Sequence, residues 1–224
     1  MEHLKSELDS LRHELNQMLE LVLKQLQKAE VVLLENKTSL VNEIASTEKL
    51  VNAKELQIDS RCETILALFT PVAVDLRFVL SALKMNANLE RIADIADGIS
   101  RLVIHTKTGF DKTLLEKIEA KKAFDTAIEM LNCVAQAYQK EDTLIARDVF
   151  TKDKIIDAIT TNGIGVAEEF AKVSPENLSQ AIPLLSIMKM LERTGDHLKN
   201  IAEEIIFYAE AKVLKHAGKT GDKE

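Results

Sequence analysis

Apolar side chains recur every three or four positions along almost the whole chain, and that periodicity leaves little room for any fold but a helical one. Near the amino terminus, Leu8, Leu11, Leu15, Met18, Leu19, Val22 and Leu26 form one such stripe. Interruptions are few, with 7 glycines and 3 prolines among 224 residues. Sheets draw on turn residues and on β-branched and aromatic side chains, yet aromatics make up only 4% of this chain. The pattern predicts six helices, over residues 6–35, 38–69, 74–105, 112–139, 143–172 and 177–216. Pro71, the loop Thr108-Gly109-Phe110-Asp111, residues 140–142 and Ser174-Pro175-Glu176 separate them, and the tail from Gly218 is expected to fray.

The helices fall into two similar sets. Leu89-Glu90-Arg91-Ile92-Ala93-Asp94 matches Leu191-Glu192-Arg193-Thr194-Gly195-Asp196, 102 residues further on. Lys84-Met85 against Lys189-Met190, with some slip, and Ile99 against Ile201 extend the match. Duplication explains a shared frame at the same place in each half. The fold expected is therefore all-α: two tandem, sequence-related three-helix bundles, residues 1–108 and 109–216, with a flexible tail over 217–224.

A formal net charge of −7 argues against a nucleic-acid partner, which rewards clustered Lys and Arg. No apolar run approaches the roughly 20 residues that span a bilayer. Residues 1–15 are charged and lack the apolar stretch and cleavage site of a signal peptide. Cys62 and Cys133 are isolated, which suits reduced core thiols in a cytoplasmic protein.

Acidic residues sit at i,i+4 on the faces that continue apolar seams. On the third helix Leu76, Val79, Leu80, Leu83 and Ala87 lead into Glu90, Asp94 and Asp97, while Met85, Leu89, Ile92, Ala96 and Ile99 line another side. On the sixth, Leu185 and Met188 lead into Glu192, Asp196 and Glu203, opposite Ile187, Leu191, Leu198, Ile201 and Ile205. A helix apolar on two sides is packed on both. The second helix aligns Glu48, Asn52, Glu55 and Asp59, and the fifth aligns Asp153 and Asp157. Folding each helix pair back about residue 72 or 174 sets Glu48 beside Ala96, Asn52 beside Ile92, Asp153 beside Gly195 and Asp157 beside Leu191. Each half then gathers four or five oxygen donors in one patch. Such a patch repels itself, and hard or borderline divalent cations relieve the repulsion. A solvated acidic rim neutralised by Arg91, Arg193 and Lys199 is the alternative.

The chain resembles the PhoU family of phosphate-homeostasis proteins. The resemblance rests on Glu48-Lys49-Leu50-Val51-Asn52, Leu56-Gln57-Ile58-Asp59, Pro71-Val72-Ala73-Val74-Asp75-Leu76-Arg77 and the two Glu-Arg-x-x-Asp elements, and on Asp153-Lys154-Ile155-Ile156-Asp157 and Asn200-Ile201-Ala202-Glu203-Glu204-Ile205-Ile206-Phe207-Tyr208. It implies two three-helix bundles whose Glu/Asp-x-x-x-Asp motifs hold metal clusters. The ligands would be Glu48, Asn52, Glu90, Asp94 and Asp97 in one half and Asp153, Asp157, Glu192 and Asp196 in the other. The metal would be a divalent or multinuclear centre of Fe, Zn, Mn, Mg or Ca. The resemblance further implies a non-enzymatic adaptor that damps phosphate uptake and the starvation response. Its partners would be the ATPase of a phosphate ABC transporter and a sensor histidine kinase, with peripheral membrane association through them. Two positions depart from the pattern: Asn52 stands for an acid, and Ala93 for the usual glycine. Counting charges at the motif positions ranks the second site as the tighter, with Asp97 and Glu55 able to compensate at the first.

Other functions have thinner support. Paired carboxylates around metals also serve phosphate-ester hydrolases, and a metal-free helical scaffold fits the composition. No Glu-x-x-His and no Gly-rich phosphate loop is present. His197 follows Asp196 and points about 100° away from its face. The two-sided apolar helices, including the face with Ile201 and Ile205, suggest a homodimer.

Overall fold

The structure, a computed structural model, describes residues 2–106 and 109–211. Its described residues form seven α-helices and two short 3-10 turns, with no strand. They are α1 (Glu2–Glu35), α2 (Val41–Phe69), α3 (Ala73–His105), α4 (Lys112–Lys117), α5 (Ala120–Lys140), α6 (Thr143–Val173) and α7 (Leu178–Glu210). The helix expected over 112–139 is thus two helices. Glu119 takes a left-handed φ of 56°, which breaks the backbone hydrogen-bond run between α4 and α5. The last helix ends at Glu210, with Ala211 left-handed, and the continuation expected to 216 lies outside the described residues, as does the tail over 217–224. The boundary expected at 108 falls at the undescribed pair 107–108.

Local chemistry accounts for the helix ends. Asp142 accepts hydrogen bonds from the amides of Leu144 and Ile145 and so caps α6. Asp111 does the same for α4 through the amide of Leu114. Pro71 follows a left-handed Thr70 and precedes an extended Val72, so α2 and α3 form a tight antiparallel hairpin. Ser174 and Pro175 play that part between α6 and α7.

Helices α1, α2 and α3 pack together, as do α5, α6 and α7, and the two sets are joined by α3 on α7 and α1 on α5. Both joins are antiparallel. Ser81 and Lys84 meet Glu204, Asn88 meets His197 and Asn200, and Gly98 meets Met190. Likewise Arg12 pairs with Glu141 and Lys121 with Glu30. Equivalent helices crossing antiparallel relate the halves by an approximate twofold axis. A Cβ on Gly98 would lie 2.7 Å from the Met190 methyl, so the glycine permits this close approach.

One continuous apolar core runs through both halves. It consumes the second apolar faces of α3 and α7: Ile201 and Ile205 are fully buried within the chain. The apolar area that suggested a partner copy is therefore covered within the chain. Not all of the seam leading to the first acids is core, because Leu76 and Leu80 are exposed while Val79 is buried. Cys62 is a buried free thiol and Cys133 a half-buried one.

Candidate functional site

The α2–α3 hairpin sets Glu48 against Asp94 and Asp97, within one turn of the register expected from the sequence. Glu48 and Asp97 are buried, Glu90, Glu55, Asp59 and Asp94 half-buried, and Asn52 exposed. Glu48 Oε2 accepts a 2.7 Å hydrogen bond from Gln25 of α1, whose amide also donates to the Ala93 carbonyl at 3.0 Å. Burial is the main force on the Glu48 carboxyl, and with the neighbouring Asp94 and Asp97 it pushes the pKa up to about 7 against the Gln25 hydrogen bond. Burial and Asp94 also raise Glu90, and burial and Asp59 raise Glu55. Two arginines neutralise the rim. Arg91 lies 3.5 Å from Glu90 and 3.3 Å from Asp94, and Arg101 lies 3.0 Å from Asp97. All of these guanidinium groups are largely exposed.

Gln25 was not among the sequence candidates. Its signal was a fully buried amide inside the apolar stripe of α1, between Val22 and Leu26.

The α6–α7 hairpin builds the second cluster in the expected register. A Cβ on Gly195 would stand 2.5 Å from Asp153 Oδ1, so glycine is required for this carboxylate to lie against α7. Thr160, two turns on, donates to the Met188 carbonyl. Asp153 is buried, Glu192 half-buried, and Asp157 and Asp196 exposed. Here the charge is met from within. Lys199 reaches from α7 to Asp153 Oδ2 at 2.5 Å and Asp196 Oδ1 at 2.9 Å, and Lys189 holds Glu192 at 2.5 Å. Burial works against the Lys199 ammonium, yet hydrogen bonds to both aspartates raise its pKa.

The donor sets fit a hard divalent cation, being carboxylate oxygens with one amide oxygen at Asn52. Buried Glu48 Oε1, Asp97 Oδ1 and Asp153 Oδ1 also lack hydrogen-bond partners. Among the described residues, no three acidic, histidine or cysteine side chains are drawn together closely enough to cage an ion as they stand. Glu90, Asp94 and Asp97 turn instead to arginines, Glu192, Asp153 and Asp196 to lysines, and Glu48 to the Gln25 amide. His197 is occupied elsewhere, with Nδ1 2.9 Å from Asn88 Oδ1 in the α3–α7 seam. Among the described residues, no helix is long and apolar enough to cross a membrane.

Two three-helix bundles joined about an approximate twofold, each with an acidic cluster on its second and third long helices, define a class of duplicated all-α proteins. The PhoU domain profile matches residues 15–103 and again residues 120–205. The chain belongs to the PhoU family. It is 31% identical over 208 residues to the phosphate-specific transport system accessory protein PhoU homolog of Borreliella burgdorferi, covering 91% of this chain and 93% of that one. It is 29% identical over 213 residues to phosphate-specific transport system accessory protein PhoU of Escherichia coli K12, covering 95% and 88%. The crystal structure of PhoU from Pseudomonas aeruginosa superposes with a TM-score of 0.88 at 28% identity, over 93% of this chain and 99% of that one.

Proposed function

We propose that this chain is a cytoplasmic, metal-binding regulatory adaptor of phosphate uptake, acting on a phosphate ABC transporter and a sensor histidine kinase rather than as an enzyme. The observation that carries the reading is the pairing of family membership over both halves with acidic clusters at equivalent places in each. Glu48, Glu90, Asp94 and Asp97, with Asn52 at the edge, are the donors at the first cluster, and Asp153, Asp157, Glu192 and Asp196 at the second. A bound divalent ion supplies the positive charge that cancels carboxylate repulsion across each hairpin. The protein's own part is to hold those side chains on rigid helices and, through Gln25 at Glu48 and Gly195 at Asp153, to position one buried carboxylate of each cluster.

A hydrolase needs a phosphate clamp beside the acids; the candidates are Arg91 and Arg193, and Arg91 is already engaged with Glu90 and Asp94. Expression in E. coli lacking its own PhoU tests the adaptor reading, with a phosphate-starvation reporter as readout. Restored repression in high phosphate is expected, and unrelieved derepression contradicts it. Robust turnover of phosphate esters by the purified protein with Mn or Mg would favour the hydrolase instead.

A homodimer is part of this proposal. It now rests on apolar side chains left exposed at the hairpin ends, Leu68, Val72 and Val74 at one and Val173 and Ile182 at the other. Light scattering at micromolar concentration is expected to give twice the 25.0 kDa chain mass. A single-chain mass contradicts it.

A further inference from the structure

We propose that Lys199 is a tethered counter-ion that competes with metal at the second acidic cluster, leaving the first cluster as the tighter cation site. The inference rests on the metal-binding reading above and concerns how the two duplicated sites have diverged.

The Lys199 ammonium bridges Asp153 Oδ2 and Asp196 Oδ1, at 2.5 and 2.9 Å. A divalent ion bonds carboxylate oxygens at about 2.0–2.6 Å. Ion and ammonium cannot share the space between the same two oxygens, so metal binding there requires Lys199 to leave. Asp153 has no room to retreat towards α7 to accommodate both. Its carboxylate is 95% buried and lies against the backbone of Gly195, where even a methyl group would overlap it. Displacing Lys199 breaks an ion pair with a buried partner, which is more costly than releasing a surface pair.

The duplication shows what stands at the equivalent place in the other half. Position 97 corresponds to position 199, by the same 102-residue offset that aligns Glu90 with Glu192 and Asp94 with Asp196. There the chain carries Asp97, a buried acid whose Oδ1 has no hydrogen-bond partner. Its counter-charge, Arg101, comes from one turn along the same helix and is 65% exposed, free to swing into water. The first cluster thus gains an acid where the second gains a cation. Counting motif acids alone ranks the second cluster higher, and including positions 97 and 199 reverses the order.

Titration calorimetry with MnCl2 tests this on four full-length chains: wild type, Lys199→Met, Asp153→Asn with Asp157→Asn, and Glu90→Ala with Asp94→Ala. In wild type the tighter binding class is expected to vanish in the Glu90/Asp94 variant and to persist in the Asp153/Asp157 variant. Lys199→Met is expected to tighten the weaker class about tenfold or more, a change of about 1.4 kcal/mol. It should also lower the melting temperature without metal, because Asp153 loses its partner, and Mn should restore it. Should Lys199→Met fail to fold, the two double variants decide the order by themselves. Loss of the tighter class in the Asp153/Asp157 variant overturns the inference while the metal-binding reading stands. A folded Lys199→Met whose weaker class is unchanged does the same. Absence of Mn binding in all four chains overturns both.

Discussion

Replacing Arg61 with alanine is expected to cost about 2–4 kcal/mol of folding stability, one of the two largest effects in the molecule. Glu14 of α1 is 5% exposed, and its carboxylate takes three hydrogen bonds from α2. Arg61 supplies two of them as a fork, at 2.8 and 2.9 Å, and Gln57 the third at 2.7 Å. A further Arg61 nitrogen holds Glu7 at 2.6 Å. Removing the guanidinium leaves a buried carboxylate with a single amide donor, and stranding a buried charge costs about 3–5 kcal/mol. Arg61 is a quarter exposed, so water recovers part of that loss. Lysine is expected to rescue only partly, since an ammonium cannot form the fork. Replacing the pair with Glu14→Leu and Arg61→Met should restore most of the stability, because no charge is left stranded. For a chain of this size the single variant should melt about 4–16 °C lower. A shift under about 1 °C, read by circular dichroism, would mean that the network is only surface decoration.

The second large effect is expected at Glu48 in protein stripped of metal. Between the ordinary value of 4.5 and about 7, the folded chain holds a proton on Glu48 that the unfolded chain has released. Stability therefore falls as pH rises through that window. Glu48→Gln removes the titration and keeps an amide partner for Gln25. In chelator at pH 8 this variant is expected to be more stable than wild type by about 1–3 kcal/mol. Near pH 5 the gain should shrink towards zero, because wild-type Glu48 is then protonated in the folded state. Saturating Mn should invert the order at pH 8, since the cation stabilises the carboxylate and the amide offers it less. Urea titrations at the two pH values, with and without Mn, give all four comparisons. Equal stability of the two chains at pH 8 in chelator would mean that Glu48 is solvated and not strained by its burial.

Much of this architecture is legible in the sequence because helix geometry is rigid. A fixed rise per residue and a turn marked by proline place Asp153 opposite Gly195, as found, and the same register brings Thr160 to the Met188 carbonyl. The left-handed break at Glu119 left no such mark, because glutamate is a good helix former and nothing at 118–120 interrupts the apolar period. Two-sided apolar helices were readable as such, but periodicity does not say what covers the second face. Here α3 and α7 pack on each other, and Ile201 and Ile205 end up fully buried inside the chain. At the candidate site the acids were readable from i,i+4 spacing. Their neutralisation was not, because it depends on where long side chains reach. Lys199 stood in the sequence as one of several rim cations, and only its span from α7 to α6 distinguishes it from Arg91. Gln25 was hidden for the same reason, as its partner lies 23 residues away on another helix.

Metal content most directly tests whether the acidic clusters are cation sites. Wild type and a variant carrying Glu90→Ala, Asp94→Ala, Glu192→Ala and Asp196→Ala would be equilibrated with MnCl2, dialysed and analysed by elemental mass spectrometry, with circular dichroism confirming that both are folded. Wild type is expected to retain Mn and the variant to retain none above the dialysis buffer. Equal Mn in the two folded chains, or none in wild type, would contradict the assignment and leave the carboxylates as a solvated rim.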